Sequence, residues 1–419
     1  MTSAGRKHGR GEPVQVLQAS PHRVAPRCAH FGACGGCHFQ HADIGEQLRI
    51  KRERLGRMLA HTLKTPVESL PIRPLAAPTE SWGQRTKIAL VLHPTASGRI
   101  DAGLYARRSN DVVPLTECPV SDPAGFALAR AVVAEIERLH VPIADPTLSG
   151  RYGGGGGLRA VVVRALNGSD GRHVILVGTP AQAPFGDRLI DALAHLGAAG
   201  VAYNVNHEAG PQLLGRETHV MYGPNRLLEV VDGRQYLVSP GAFFQTSAWG
   251  VNHLVRTVRE LVVPHPEHDL LDLYCGGGLL TLALADRCRR AVGIEGNPHA
   301  IDDARASARL AGIENVDFVA GRVEQRLHEA ARRLTVRTAV LDPPRDGCAP
   351  AILHTLTEHI LPRRIIYVSC EPTTLARDAA VLMAAGYRPT DFLPFDMFPH
   401  TAHLETVAVF DRHASAPRT

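Results

Sequence analysis

Two short stretches hold the residues best suited to covalent chemistry. Ile365-Ile366-Tyr367-Val368-Ser369-Cys370 reads as a buried strand that stops at a cysteine. Thr373 then offers a helix N-cap, with Leu375, Ala376, Ala379 and Ala380 opening a helical period. Glu405, 35 residues beyond Cys370, heads a second strand-like run, Thr406-Val407-Ala408-Val409-Phe410. A thiol and a carboxylate brought together suit covalent catalysis, one as nucleophile and the other as base. The carboxyl end of a strand beside a helix N-terminus is where open α/β sheets keep their chemistry, and the positive helix end favours the thiolate. The competing reading of Cys370 is an inert buried thiol.

A second group of thiols has metal-ligand spacing. Cys28, Cys34 and Cys37 form a CX5CX2C pattern, and Gly35-Gly36 lets the backbone fold tightly around it. Three thiolates want a fourth ligand, and the best candidate is the distant Cys118 in Thr116-Glu117-Cys118-Pro119. Zinc and an iron–sulfur cluster both fit this spacing.

The elements that must position these groups change character along the chain. From Gln245 onward strands and helices alternate regularly: a helix over 247–263, a strand over 269–274, the tight loop Cys275-Gly276-Gly277-Gly278, a helix over 279–285 and a strand over 291–294. That last strand ends at Glu295, 23 residues beyond Asp272. Glycines let a ligand approach the backbone and the later acid can accept from ribose hydroxyls, so this unit predicts a nucleoside cofactor. The loop is not GXGXXG, which counts against a dinucleotide. Further strands are expected at 316–320, 338–341 and 365–369, and Asp342-Pro343-Pro344-Arg345 places another carboxylate at the carboxyl edge.

Upstream, 46–63 reads as an amphipathic helix with Leu55, Met58, Leu59 and Leu63 on its apolar stripe. Arg49, Lys51, Arg52, Arg54 and Arg57 crowd the rest, as a solvated face or an RNA-contacting one. Strands are expected over 82–92 and 102–115, with Lys87, Arg107 and Arg108 as their notable charges, then a helix over 124–140. Gly153 to Gly157 tempt a phosphate-loop reading. No Lys-Ser/Thr follows and a strand does, so a hairpin loop is expected there. Strands at 173–177 and 200–205 around a helix at 186–196 complete a mixed α+β region.

Composition sets the outer limits. The 419 residues carry a net charge of +5, mild but suited to a polyanionic partner. No apolar run approaches a membrane span and the first ten residues lack a signal-peptide core, so a cytoplasmic protein is expected. Eight clustered cysteines point to metal binding and catalysis in a reducing compartment, not to a disulfide scaffold.

With these residues in view, the chain resembles the S-adenosylmethionine-dependent RNA uridine-C5 methyltransferases of the iron–sulfur type, from about Ser20 to Phe410. The resemblance is carried by the four cysteines, Phe243-Phe244-Gln245, Asp272-Leu273-Tyr274-Cys275-Gly276, Asp342-Pro343-Pro344-Arg345, Ser369-Cys370 with Thr374-Leu375-Ala376-Arg377-Asp378, and the run Asp396 to Glu405. It implies Cys370 as nucleophile and Glu405 as base. It further implies that Gln245, Tyr274, Gly276, Glu295 and Asp342 meet S-adenosylmethionine, with Gln245 and Asp342 also near the target uracil. A [4Fe-4S] cluster on Cys28, Cys34, Cys37 and Cys118 is implied in the same way.

The fold class implied is α/β, a Rossmann-like class I methyltransferase domain preceded by an α+β cluster-bearing RNA-binding region. Its expected parts are a basic tail with a remnant of a TRAM-like barrel (1–25), the central region (26–240) and the catalytic domain (241–419). The implied partner is RNA, 23S ribosomal RNA ahead of the T-loop of transfer RNA, bound by a monomer. An RNA-binding or folding protein without essential catalysis, and an iron–sulfur electron carrier, are the rival classes. Leu279, Arg322 and Glu371 depart from the residues common at their positions, and Cys288 and Cys348 match nothing and are expected to be structural.

Overall fold

A computed structural model describes residues 16–144, 156–208 and 213–412. Residues 1–15 of the expected basic tail and most of the 153–157 glycine run lie outside the described residues. The helix α1 (Ile44–Leu63) comes first, capped by the Asp43 carboxylate, which accepts from the Glu46 N–H at 2.7 Å.

The first sheet contains β1 (Lys87–Pro94), β2 (Ile100–Tyr105), β3 (Val112–Pro114), β4 (Leu158–Ala165), β5 (Arg172–Gly178), β6 (Gly200–Val205) and β7 (Glu217–Tyr222). Their order is β3-β2-β1-β4-β5-β6-β7, and only β5 and β6 pair in parallel. The expected long strand over 102–115 is two strands, because the chain turns between Tyr105 and Val112. Val132, Val133 and Ile136 of α2 (Pro123–Arg138) and Leu189 and Leu193 of α3 (Asp187–His195) bury one face of this sheet.

A hairpin of β8 (Leu227–Val231) and β9 (Arg234–Val238) leads into α4 (Ala248–Leu261), whose Ser247 cap accepts from Gly250 N–H at 3.1 Å. Then β10 (His265–Leu273), α5 (Leu279–Leu284), β11 (Cys288–Glu295), α6 (Pro298–Leu310), β12 (Val316–Ala320), α7 (Val323–Ala331) and β13 (Val336–Leu341) alternate. The chain continues through α8 (Pro350–His354), β14 (Arg364–Ser369), α9 (Pro372–Ala384), β15 (Tyr387–Phe395) and β16 (Glu405–Arg412).

The second sheet has the order β12-β11-β10-β13-β14-β16-β15. Strands β10 to β14 are parallel and β16 is antiparallel to both its neighbours. This is the expected Rossmann-like α/β arrangement. Strand order reverses at β10, so the crevice at its carboxyl end is the place for a ligand.

Side-chain alternation explains why β14 is apolar over 365–368. Ile365 and Tyr367 pack with α9 on one face, while Ile366 and Val368 pack with α4 and α5 on the other. Leu55 and Leu59 of α1 join the first of these cores, and Val231, Tyr236 and Val238 of the hairpin join the second. Met58, expected on the buried stripe, is exposed instead, and the stripe is completed by Gln47, Lys51 and Gly56. Among the described residues no helix is long and apolar enough to cross a membrane.

Candidate active site

At the turn after β10, Tyr274 takes a left-handed φ of 64° and Gly276 one of 52°. A side chain on Gly276 or Gly277 would meet nothing within 4 Å, so the loop offers bare backbone to open space. Gly278 is different. A Cβ there would lie 2.9 Å from the Ala304 side chain, so that glycine serves the packing of α5 against α6.

Glu295, at the end of β11, accepts from Gly276 N–H at 3.1 Å and from Asn297 N–H at 2.7 Å. Beneath the loop, buried Asp272 accepts from the Thr281 hydroxyl at 2.6 Å while its Oδ1 has no partner. Burial, with Asp342 and Glu295 nearby, pushes the Asp272 carboxyl up to about 7. The bare glycine backbone, the oriented acid and the orphaned carboxylate oxygen form a polar cradle of the kind a nucleoside cofactor fills.

Asp342 follows β13 directly, and its N–H donates to Leu273 O at 3.2 Å, tying it to the same crevice. Desolvation raises its carboxyl to about 7. The next turn is pinned by α9. Thr374 donates to Arg345 O at 3.1 Å, Arg377 to Asp346 O at 2.9 Å, and Cys348 N–H to Asp378 at 2.8 Å. Arg345 is thereby held at the rim.

Cys370 follows directly on Ser369, the last residue of β14, as expected, and the helix begins two residues later. The cap is Glu371, which accepts from Thr373 N–H at 3.2 Å, in place of the expected Thr373. Pro372 explains the shift: without an N–H and with φ already helical, it suits the first helical position. The last register pair between β14 and β16 is Ser369 with Thr406. Cys370 and Glu405 are therefore the next residues past that pair, brought to one edge by antiparallel pairing.

The thiol is not poised as a thiolate. Burial, then the charges of Glu405 and Asp342, push Cys370 up to about 11, and Arg345 opposes them only in part. The expectation that the helix end would favour the thiolate is corrected by this desolvation. Glu405 is likewise raised to about 8 by burial and by Asp342, with Arg345 opposing.

That shift predicts a pH-dependent stability. The folded pKa of Glu405 exceeds its ordinary value of 4.5, so the folded state holds the proton more tightly and stability falls as pH rises from 4.5 to about 8. The cost accrues at roughly 1.4 kcal/mol per pH unit, before allowing for coupling to Asp342. Glu405→Gln should therefore melt higher than the native protein at pH 8.5 and equally at pH 4.5. Equal melting at both values would show that the carboxyl is not so raised.

Gln245 lies between Phe244 and the cap residues of α4. It precedes Thr246, whose carbonyl accepts from Thr86 N–H at 2.9 Å, so its segment docks on the first sheet. Phe244 is buried beneath the Arg164 guanidinium, 5.2 Å from its ring centre, whereas Phe243 is 79% exposed.

A cavity of about 730 Å³ opens beside these groups. Gly35, Gly36 and His38 line it on one side, Lys87 to Ala89 and Leu104 to Arg108 on another, and Thr246, Arg345, Phe398 and His403 on the third. Arg85, Lys87, Arg107, Arg108 and Arg345 give it five cations and, among the described residues, no carboxylate. Lys87, Arg107 and Arg108 stood out in the sequence. Arg85 and His38 did not, and nothing local marks them.

The basic face of α1 turns out to be largely committed within the protein. Lys51 is buried and its Nζ lies 2.6 Å from Asp396. Arg54 meets Glu371 at 3.2 Å, and Arg49 pairs with Glu46 and Glu53. The RNA-contacting reading is corrected for Lys51, which is buried against a partner distant in sequence, while the Arg49 and Arg54 side chains keep an exposed face.

Cys28, Cys34, Cys37 and Cys118 line one small cavity together with Arg85 and Gln40. Gly36 N–H donates to the Cys34 sulfur and the Ser121 hydroxyl to the Cys118 sulfur, both at 3.3 Å. Gly35 is required by close approach, because a Cβ there would lie 2.8 Å from Tyr105 O. Burial raises the thiols of Cys28, Cys34 and Cys37. Among the described residues no group of three or more His, Cys, Asp or Glu side chains is gathered as it would be around a metal ion. The two cysteines expected to be structural behave as such: Cys348 is buried and Cys288 half-buried, each raised to about 12 by burial.

Comparison with known proteins agrees with this geometry. The family description "tRNA (Uracil-5-)-methyltransferase" matches residues 225–413. An uncharacterized RNA methyltransferase of Gloeobacter violaceus is 34% identical, the match covering 97% of this chain and 87% of that protein. One from Thermosynechococcus vestitus is 33% identical over 98% of this chain and 89% of its own length. Among solved structures, the Pyrococcus abyssi tRNA (uracil-54, C5)-methyltransferase in complex with S-adenosyl-L-homocysteine superposes with a TM-score of 0.71 at 26% identity, covering 94% of this chain and 88% of that one. Relatives this similar over nearly their whole length settle the kinship, and the chain belongs to the family of S-adenosylmethionine-dependent RNA uracil-C5 methyltransferases.

Proposed function

We propose that this protein methylates C5 of a specific uridine in 23S ribosomal RNA through a covalent bond from Cys370 to C6 of the base. The observation that carries the mechanism is the placement of Cys370 and Glu405 just past one register pair, at the edge where Asp342 and Arg345 also stand. Uracil C5 is too weak a carbon nucleophile to take a methyl group unaided. The Cys370 thiol first releases its proton to solvent; addition of the thiolate to C6 then makes an enolate, and C5 becomes nucleophilic. S-adenosylmethionine, when bound, supplies the electrophilic methyl group. After transfer, Glu405 removes the C5 proton, the C5–C6 double bond reforms and the Cys370 sulfur leaves.

Supporting roles follow from the family resemblance. Glu295 and the Gly276 backbone are assigned to the nucleoside part of the cofactor and Tyr274 to the side of its pocket. Gln245 and Asp342 are assigned to the space between cofactor and uracil. A carboxyl raised to about 8 suits a base working near neutral pH, since ionised and protonated forms are both populated there. The five cations of the large cavity would meet phosphates while the target base is splayed from its stack.

The four cysteines would hold a [4Fe-4S] cluster, which would bind the segment around Cys28 to Cys37 to the loop carrying Cys118. Their shared cavity and the N–H and O–H donors to two of the sulfurs support that reading. Anaerobically purified protein should then contain about four iron and four sulfide per chain. Stoichiometric zinc without iron would overturn the assignment. The division into a central region (26–240) and a catalytic domain (241–419), acting as a monomer in the cytoplasm, is retained as part of the proposal.

Transfer RNA is the second reading, favoured by the Pyrococcus relative, whose substrate is tRNA uracil-54. Ribosomal RNA is preferred because the cysteine pattern resembles that branch of the family. Mapping 5-methyluridine in RNA from cells with and without the protein decides between them. Loss of one 5-methyluridine from 23S ribosomal RNA is expected, and loss only from transfer RNA would contradict the proposal.

A further inference from the structure

Glu405 stands at the end of an irregular stretch, 396–404, that is pinned from two sides. From α1, Lys51 donates to Asp396 at 2.6 Å, the Gln47 side chain accepts from His400 N–H at 3.0 Å, and Arg54 donates to Ala402 O at 3.1 Å. From the cysteine segment, the N–H groups of His38 and Phe39 both donate to His400 O, at 2.8 and 3.0 Å. Ala402 N–H in turn donates to His38 Nδ1 at 3.3 Å.

His400 sits at a φ of 65°, a conformation unusual for a residue with a side chain, and its ring stacks on Trp82 with centroids 3.7 Å apart. A loop bent this way keeps its shape only while its surroundings over-determine it. His38 adjoins Cys37, and its contact at Ala402 lies three residues before Glu405.

We propose that His38 is a positioning residue for the reaction: by accepting the Ala402 N–H it fixes the last turn before Glu405 and so sets where the base stands relative to C5. The inference rests on the roles given above to Cys370 and Glu405. Its acceptor role requires an unprotonated Nδ1, and an asparagine side-chain oxygen could take that place. The cysteine segment and the base are then mechanically joined, so order in one reaches the other without contact with the reacting atoms.

The test compares the native enzyme, His38→Ala, His38→Asn and Glu405→Gln with substrate RNA and S-adenosylmethionine. It reads kcat, KM for RNA and the amount of denaturation-stable protein–RNA species. His38→Ala should lose about tenfold in kcat with KM within about twofold, as expected for one lost orienting hydrogen bond. It should also accumulate the covalent species, because attack and methylation proceed while proton removal lags. His38→Asn should regain most of the rate and lose the species. Unchanged kcat in His38→Ala, a fall without accumulation, or an asparagine variant no better than alanine would each overturn the inference. If Glu405→Gln itself forms no covalent species, the assignment of Glu405 as the base fails first, and this inference falls with it.

Discussion

Replacing Cys370 by alanine should lower methyl transfer by on the order of 10⁴-fold or more, while RNA and S-adenosylmethionine still bind within about twofold of the native enzyme. The loss is expected to fall on kcat because the sulfur acts only once the uracil is seated. Cys370 is half-buried at the end of β14 and its thiol is raised to about 11, so removing it deletes no ion pair and leaves no orphaned charge. Its deletion instead relieves Glu405 and Asp342 of nothing they depend on for folding. A scan of rate against pH should complement this. Native turnover should rise from pH 6 to 8.5, since both the thiol and Glu405 must lose protons and both are raised above their ordinary values. If Cys370→Ala keeps native turnover, the covalent route is excluded.

The second large effect belongs to stability. Lys51→Ala should destabilise the protein by about 3–5 kcal/mol, because it leaves Asp396 buried without its cation. The side chains of Lys51 and Asp396 are 1% and 2% exposed and 2.6 Å apart. Burial pushes the ammonium down and the carboxyl up, and their mutual attraction opposes both shifts. Truncating one partner therefore costs far more than the pair contributes. Lys51→Met combined with Asp396→Leu should recover most of the stability in denaturant unfolding, since neither charge then remains. Activity should not return with it, because Lys51 also donates to Phe398 O at 3.2 Å and so helps shape the loop before Glu405. A single Lys51→Ala variant as stable as the native protein would mean that this pair is open to water.

These two residues also show what a sequence can and cannot reveal. Cys370 was legible because a strand of four apolar residues followed by a helical period is a local pattern, and the fold puts chemistry at such junctions. The cradle was legible for the same reason: β10, its glycine loop and Glu295 lie within one βαβ unit. Lys51 was not. On a helix rich in arginine it reads as one more surface charge, and its partner stands 345 residues away. His38 and Arg85 stayed hidden for a related reason, since their contacts with Ala402 and Gly36 depend on how the cysteine segment docks on residues distant in sequence. Strand β15 went unread because Pro389 and Pro394 interrupt its apolar pattern, and an edge strand tolerates both. The thiol was misjudged because burial and two carboxylates, all set by tertiary packing, outweigh the helix end.

The central claim is a covalent Cys370 adduct resolved by Glu405, and a denaturing gel tests it most directly. Glu405→Gln, incubated with labelled substrate RNA and S-adenosylmethionine, should still attack C6 and still methylate C5, since neither step needs the carboxylate. The C5 proton then stays, elimination stalls, and the enzyme remains bonded to methylated RNA. The account predicts a protein–RNA band that survives denaturation for Glu405→Gln and is absent for Cys370→Ala and for the double variant. A buried thiol beside a strand-end glutamate predicts no such band in any of the three, and that result would contradict the account.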